Sequence, residues 1–385
     1  MQEIATADKA AFSRANGIDI ANRMVEESGL RVGMDRRRGR GAGLNPSGRF
    51  EPFARAAFDD GWGTIEDLPP FRTEVQVEKP KTIITRNASP DISFDRSINP
   101  YRGCEHGCVY CFARPTHAYM GMSPGLDFES RLFVKPNAPE LLEAELSKPG
   151  YEVKSIAIGT NTDPYQPIEK KWGVMRRILE VLEAANHPVG IVTKSALVTR
   201  DIDILSRMAA KGLVRVALSV TTLDRKLARV MEPRAATPAK RFETVKALSE
   251  AGIPTMVMTA PIIPGLTDCE IERLLEAAHA AGARHAGYVL LRLPLEVSPL
   301  FKDWLLRHYP DRYRHVLNLL RSMRDGKDYD AEWGKRMRGS GPYAMQIRRR
   351  FELASRRLGL DQERAPLRCD LFHAPKSAGV QLALL

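Results

Sequence analysis

Three of the chain's five cysteines fall within eight positions, Cys104-Glu-His-Gly-Cys108-Val-Tyr-Cys111, a C-x3-C-x2-C spacing. Thiolates this close on one loop can converge on one metal centre, and thiolate donors select zinc, copper(I) or iron–sulfur. A structural zinc wants a fourth ligand, and His106 and His117 are near enough in sequence to offer one. Iron–sulfur cubanes usually take four cysteines, but the next one, Cys269, is far along the chain and Cys369 farther still. The other explanation is a cluster whose fourth position is open to a substrate or cofactor, with Tyr110 packing over it.

The rest of the composition narrows the setting. The chain has 385 residues, 43% of them hydrophobic and 27% charged, with a net charge of +11. These values fit a globular protein and exclude a wholly disordered, collagenous or coiled-coil chain. No run of about 18 apolar residues occurs, so no membrane span is expected. The N-terminus, MQEIATADKAAFSRANG, lacks the apolar region of a secretory signal, which points to the cytoplasm. In a reducing compartment, clustered cysteines indicate metal or catalysis more than disulfides.

Something must position the cysteine loop, and the pattern from residue 96 onward supplies it. The runs SIAIG (155–159), VGIVT (189–193), VRVALSV (214–220), PTMVMTA (254–260) and AGYVLLRL (286–293) read as buried strands, with a further one near Ser93–Asn99. Helical patterns lie between them. Trp172 to Ala185 carries apolar residues at Val174, Ile178, Val181 and Leu182. Thr237-Pro238 reads as an N-cap, Gly252 as a helix end, Thr267 with Glu270 as a capping box, and Gly282 as the next end. Strand and helix alternating at this spacing means parallel βαβ units. Six units are too few for a complete eight-fold barrel and suit an open, partial (β/α)6 barrel of the TIM type, with its chemistry at the C-terminal strand ends.

Two basic regions flank this core, giving an irregular N-terminal extension (1–90), a core (91–297) and a helical C-terminal region (298–385). Asp35 to Arg49, DRRRGRGAGLNPSGR, reads as a solvated flexible arm or, through Arg36, Arg37, Arg38 and Arg40, as a nucleic-acid contact. Arg321, Arg324, Lys335, Arg336, Arg338, Arg348, Arg349, Arg350, Arg356 and Arg357 form either a solvated helix face or a phosphate-binding surface.

A C-x3-C-x2-C loop with an aromatic before the last cysteine, after the first strand of a partial barrel, resembles the radical S-adenosylmethionine (SAM) superfamily. The stretch NPYRGCEHGCVYCFARPTHAYMGMSPGLDFE (99–129) is similar to the branch of spore photoproduct lyase and the radical-SAM-type DNA repair photolyase-like proteins. GRGAGLNPSGRFE (39–51) is similar to a bacterial subgroup of that branch. The resemblance implies a [4Fe–4S] cluster on Cys104, Cys108 and Cys111, with SAM on the open iron. It implies a reductant such as flavodoxin or ferredoxin, and cleavage of SAM to a 5′-deoxyadenosyl radical that takes hydrogen from a substrate.

By position in the family, the polar run Thr160, Asn161, Thr162 and Asp163 is expected to meet the SAM amino group, although the usual Gly-Gly-Glu form is absent. Lys194, Ser219, Thr221 and Arg234 are expected to reach the remaining parts of the cofactor, Arg234 through a bidentate pair with its carboxylate. Pro261 to Leu266 is expected to pack on adenine. Tyr165, Tyr288 and Arg292 are candidates for the substrate side, the two tyrosines also as hydrogen-atom donors. Spore photoproduct lyase uses a further barrel cysteine as donor, whereas no cysteine lies between Cys111 and Cys269 here, which argues against that lyase reaction. Three functions follow as expectations: a radical SAM enzyme on DNA or RNA; a radical SAM enzyme on a protein or small molecule; and a non-catalytic, zinc-stabilised nucleic-acid-binding protein.

Overall fold

A computed structural model describes residues 31–52 and 70–375. Among these, β1 (Glu74–Val77), β4 (Tyr101–Arg102) and β5 (Arg131–Val134) form a small sheet in the order β1-β5-β4. The main sheet holds β2 (Ile84–Arg86), β3 (Arg96–Ile98), β6 (Ile156–Ile158), β7 (Val189–Thr193), β8 (Val214–Ser219), β9 (Thr255–Ile262) and β10 (His285–Leu290). From β3 to β10 each strand pairs in parallel with the next, and β2 caps the β3 edge antiparallel. Helices Val174–Ala184, Ile202–Ala210, Pro238–Glu250 and Ile271–Ala280 fill successive crossovers. β2 and β10 do not pair, so six parallel strands make the expected partial barrel. The antiparallel β2 extends the main sheet to residues before 91.

The alternation of side chains along the strands separates two faces. Ile156, Ile158, Val189, Ile191, Val214, Val216, Leu218 and Val257 pack with the helices in one core. The residues between them, Ala157, Gly190, Ala217 and Ser219, are small and face the other way, leaving room inside the barrel. Helix Val174–Ala184 buries Val174, Met175, Ile178, Leu179 and Leu182, each of the larger ones contributing about 1.5–3 kcal/mol of transfer free energy. Its spacing is the one the sequence displays, with Val181 only half-buried.

Two local expectations change. Thr237 does cap helix Pro238–Glu250, accepting from the Lys240 amide, but Thr267 and Glu270 form no capping box. The Thr267 hydroxyl accepts from Ile263 N, and the Glu270 carboxylate takes Thr222 Oγ1 at 2.5 Å. β10 stops at Leu290 because its amide turns away to the Met337 carbonyl at 2.9 Å. Residues 334–337 then cross to the far edge, where Gly334 N and the Arg336 guanidinium reach Asp91. The open side of the barrel is bridged by this segment.

Most basic side chains of the C-terminal region are committed within the fold. Arg350 pairs with Glu272 and Arg357 with Glu276, docking helix Gly341–Arg357 onto helix Ile271–Ala280. Arg324 is buried and donates to the carbonyls of Lys335 and Leu291.

A buried histidine sets an acid limit on this fold. His187 Nδ1 lies 3.0 Å from the Pro188 carbonyl and must donate to it, so Nε2 accepts from Tyr151 Oη at 2.9 Å. Burial lowers its pKa to about 4. The unfolded chain therefore binds this proton at higher pH than the folded one, and stability held above pH 6.5 is lost as the pH falls toward 4. The expected loss is about 3 kcal/mol. Urea unfolding at pH 7 and pH 4.5 measures it, and His187→Gln should flatten that difference.

Candidate metal and cofactor site

The cysteine loop leaves β4 at Gly103 and is pinned at each turn. Cys104 N donates to the Phe128 carbonyl at 3.0 Å and Cys111 N to Cys108 O at 3.2 Å. Gly107 turns the chain at φ +68°, where a Cβ would also meet the Glu129 carboxylate at 2.7 Å. Arg114, fully buried, gathers the carbonyls of Cys108, Pro124 and Gly125 and the Glu129 carboxylate. From the barrel side, Thr162 Oγ1 and Gln166 Nε2 hold the Gly103 carbonyl, and the Gln166 carbonyl oxygen accepts from Glu105 N.

All three thiols are free; Cys104 and Cys108 are buried and Cys111 half-buried. Cys104 and Cys111 pack with Ala113 and Phe128, while Cys108 lies with Val109, Tyr110 and Leu227. Burial pushes the Cys108 thiol up to about 12 and the other two also upward. Bound metal reverses that preference, because a coordinating thiol is deprotonated outright. Among the described residues, no three His, Cys, Asp or Glu side chains are grouped as ligands of a single ion. On an iron–sulfur cluster each thiolate takes its own iron, so the ligands stand farther apart than around one ion. Three free thiols on one immobilised loop fit such a cluster.

Beside the loop, the ends of β7, β8 and β9 carry a polar network. Lys194 Nζ donates to Ser219 Oγ at 2.8 Å and lies 5.7 Å from the centre of the Tyr110 ring. Ser219 Oγ donates to the Ala260 carbonyl at 3.0 Å. Thr221 Oγ1 is 2.7 Å from the Glu232 carboxylate, which also accepts from Tyr110 Oη and Arg241. Burial opposes the charge on Glu232, but Arg241, Lys194 and the Tyr110 hydroxyl outweigh it and hold the carboxyl at about 2. An ionised carboxylate therefore sits under the tyrosine that precedes Cys111.

The structure brings Lys194, Ser219 and Thr221 together around the Ala260 carbonyl and gives several of the other candidates partners elsewhere. Asp163 binds Thr193 Oγ1 at 2.6 Å, Lys194 N at 2.8 Å and His106 Nδ1 at 3.3 Å. Burial opposes its charge too, and His106 leads the contacts that bring its pKa down to about 2. It ties two strand ends to the cysteine loop. Thr160 and Asn161 meet Asn99 at the mouth. Arg234 pairs with Glu105 inside the Cys104–Cys108 stretch. Tyr165 is fully buried with its hydroxyl on Asp201, and Tyr288 packs at a tilt against Phe351 under Arg338. Both tyrosines are committed to the core between sheet and helices and not to the substrate side. Arg292 lies 5.2 Å from the Phe112 ring centre, next to the cysteine loop, with Tyr329 behind it.

Sequence reasoning missed Glu232, Arg241, Glu129 and Arg114. Glu232 stands two residues before the chosen Arg234, but nothing local marks it as buried. Arg241 lies in a helix pattern where an arginine ordinarily faces water.

A partial six-stranded barrel that presents a three-cysteine loop at its C-terminal strand ends defines one class of protein, and the comparisons agree. The family model described as the radical SAM superfamily matches residues 98–278. An uncharacterized protein of Mycobacterium tuberculosis (strain H37Rv) is 38% identical over 230 residues, covering 58% of this chain and 68% of the relative. One from Methanocaldococcus jannaschii is 30% identical over 224 residues, covering 57% and 79%. Among solved structures, spore photoproduct lyase complexed with dinucleoside spore photoproduct aligns with a TM-score of 0.55 at 16% identity, over 74% of this chain and 79% of that one. This last is a likeness of fold. The chain belongs to the radical SAM superfamily and is an enzyme of that superfamily, with an iron–sulfur cluster and SAM as its cofactors. Among the described residues no helix is long and apolar enough to cross a membrane.

Proposed function

We propose that Cys104, Cys108 and Cys111 hold a [4Fe–4S] cluster with one open iron, and that the enzyme modifies or repairs a base in nucleic acid. The observation that carries the cluster is the immobilised loop of three free thiols beside the Lys194–Ser219–Thr221 network. When bound and reduced by a flavodoxin or ferredoxin, the cluster and SAM together supply a radical able to abstract hydrogen from a substrate C–H bond. The chain's own part is positional. Lys194 and Ser219 offer hydrogen bonds for the cofactor at the ends of β7 and β8, with Thr160 and Asn161 at the mouth for its amino acid end. Thr162, Asp163 and Arg234 hold the loop that carries the thiols. Pro261 to Leu266 supplies an apolar wall for adenine.

The nucleic-acid reading rests on the net charge of +11 and on the likeness to a lyase solved with a dinucleoside lesion. It does not rest on the arginine runs. Arg40 is buried, Arg37 donates to Val32 O, and Arg348 and Arg350 pair with Glu352 and Glu272. Cys269 is exposed on a helical turn after β9, and Cys369 lies in the C-terminal segment, so neither is offered as a hydrogen donor and the photoproduct lyase reaction is not proposed. A base must leave its stack to be attacked, so single-stranded or mismatched sites should bind better than intact duplex. On single strands each phosphate contact contributes about −0.7 to the slope of log affinity against log salt. Neutralising Arg348 and Arg350 together should change that slope by less than about one unit, because both are already paired. No oligonucleotide affinity at low salt, with an intact cluster, would instead favour a protein or small-molecule substrate.

A further inference from the structure

Within the arginine- and glycine-rich segment, Arg38, Gly39 and Arg49 are exposed, but residues 40–44 are buried. Residues 40–44 lie against the back of the cysteine loop, and a single carboxylate joins the two. Glu129, fully buried, accepts from Gly41 N and from Ala42 N, both at 2.8 Å, and from the Arg114 guanidinium. Arg114 in turn holds the Cys108 carbonyl at 2.8 Å. Arg40 reaches over the same residue to the Glu129 carbonyl, to Phe71 O at 3.0 Å and to Thr73 Oγ1 at 2.9 Å. Thr73 then donates to Glu105, the residue after Cys104.

The glycines of this segment are fixed by contact and not by flexibility. A Cβ on Gly41 would lie 1.9 Å from the carbonyl oxygen of Gly107, the residue directly before Cys108. A Cβ on Gly43 would lie 2.4 Å from the Arg307 guanidinium, which is paired with Asp303. The Leu44 carbonyl closes on Gly125 with the same lack of room. No side chain at Gly41 fits between this segment and the cysteine loop.

We infer that residues 40–44 are a working part of the iron–sulfur site, with Glu129 as the positioning residue that sets the cysteine loop. This rests on the reading that the three cysteines hold the cluster. The Gly41 amide donates to Glu129 Oε2, while the Ala42 amide and the Arg114 guanidinium share Oε1. The carbonyls of Gly107 and Cys108 are thereby fixed before any iron arrives. Groups of this kind, one shell behind the ligands, orient the ligands and tune a cluster's potential through charge and hydrogen bonding.

The test uses the full chain, reconstituted anaerobically with iron and sulfide. Gly41→Ala should weaken cluster binding by roughly 10- to 100-fold, the usual cost of losing support behind metal ligands. The cluster that remains should show altered electron paramagnetic resonance g-values and a shifted reduction potential. Glu129→Gln keeps the size and one acceptor oxygen, so it should retain more iron than Glu129→Ala while still shifting both signals. Gly33→Ala, in the same segment but with nothing within 4 Å of its Cβ, should match the wild type. A general loss of stability would lower the melting temperature of the metal-free chain and leave the g-values alone. Wild-type iron content, g-values and potential in both Gly41→Ala and Glu129→Gln would overturn the inference. Retention of the cluster by a Cys104→Ala control would instead overturn the cysteine assignment on which it rests.

Discussion

Single replacement of Cys104, Cys108 or Cys111 by alanine is expected to abolish cluster binding and, with it, all cleavage of SAM. In the proposed cluster each thiolate would hold one iron, and neither remaining cysteine packs with the loop thiols. Cys269 lies exposed after β9, and Cys369 is in the C-terminal segment beyond the last helix. Neither belongs to the apolar clusters that surround the loop thiols. Cys269→Ala and Cys369→Ala should therefore keep full iron and sulfide content and wild-type rates of SAM cleavage. Iron and sulfide analysis after anaerobic reconstitution decides the matter. Loss of the cluster in Cys269→Ala would remove the three-cysteine assignment, and zinc in place of iron would revive a structural metal.

The second large effect is expected at Arg241, where the sequence offers no warning. Arg241 and Glu232 are each only 1% exposed and form a buried ion pair. Removing one partner of such a pair leaves an uncompensated charge in the interior and costs about 3–5 kcal/mol. Arg241→Met should lose stability of that order by denaturant unfolding. It should also disturb the loop, because Tyr110 and Thr221 share the Glu232 carboxylate. Adding Glu232→Gln removes the stranded charge, so the double variant should recover much of the loss, a coupling that separates pairing from simple packing. A loss below about 1 kcal/mol in Arg241→Met would mean that water reaches the carboxylate.

The barrel was legible because its signals are local. Short β-branched runs with amphipathic helices between them fix strand identity, and five of the six barrel strands begin within one residue of the patterned runs. The cysteine loop stood out for the same reason, since its three cysteines lie within eight positions. What escaped depends on contacts between distant segments. The arginines of residues 36–40 look solvent-facing in sequence, yet Arg40 is buried because Glu129, Phe71 and Thr73 meet it from elsewhere in the chain. The Thr267–Glu270 spacing imitates a capping box, but the nearby strand ends claim both side chains. Tyr165 and Tyr288 stand near strand ends in sequence while their rings face the helices, an orientation set by strand register and loop path.

We propose that the loop at Cys104, Cys108 and Cys111 carries a site-differentiated [4Fe–4S] cluster that binds and cleaves SAM. The most direct measurement is electron paramagnetic resonance of the reconstituted, dithionite-reduced enzyme before and after SAM, with 5′-deoxyadenosine followed in the same samples. The reduced cluster signal should change on adding SAM, together with 5′-deoxyadenosine formation that is absent in Cys108→Ala. A chain that binds zinc and no iron, or a cluster whose signal ignores SAM and yields no 5′-deoxyadenosine, would contradict it.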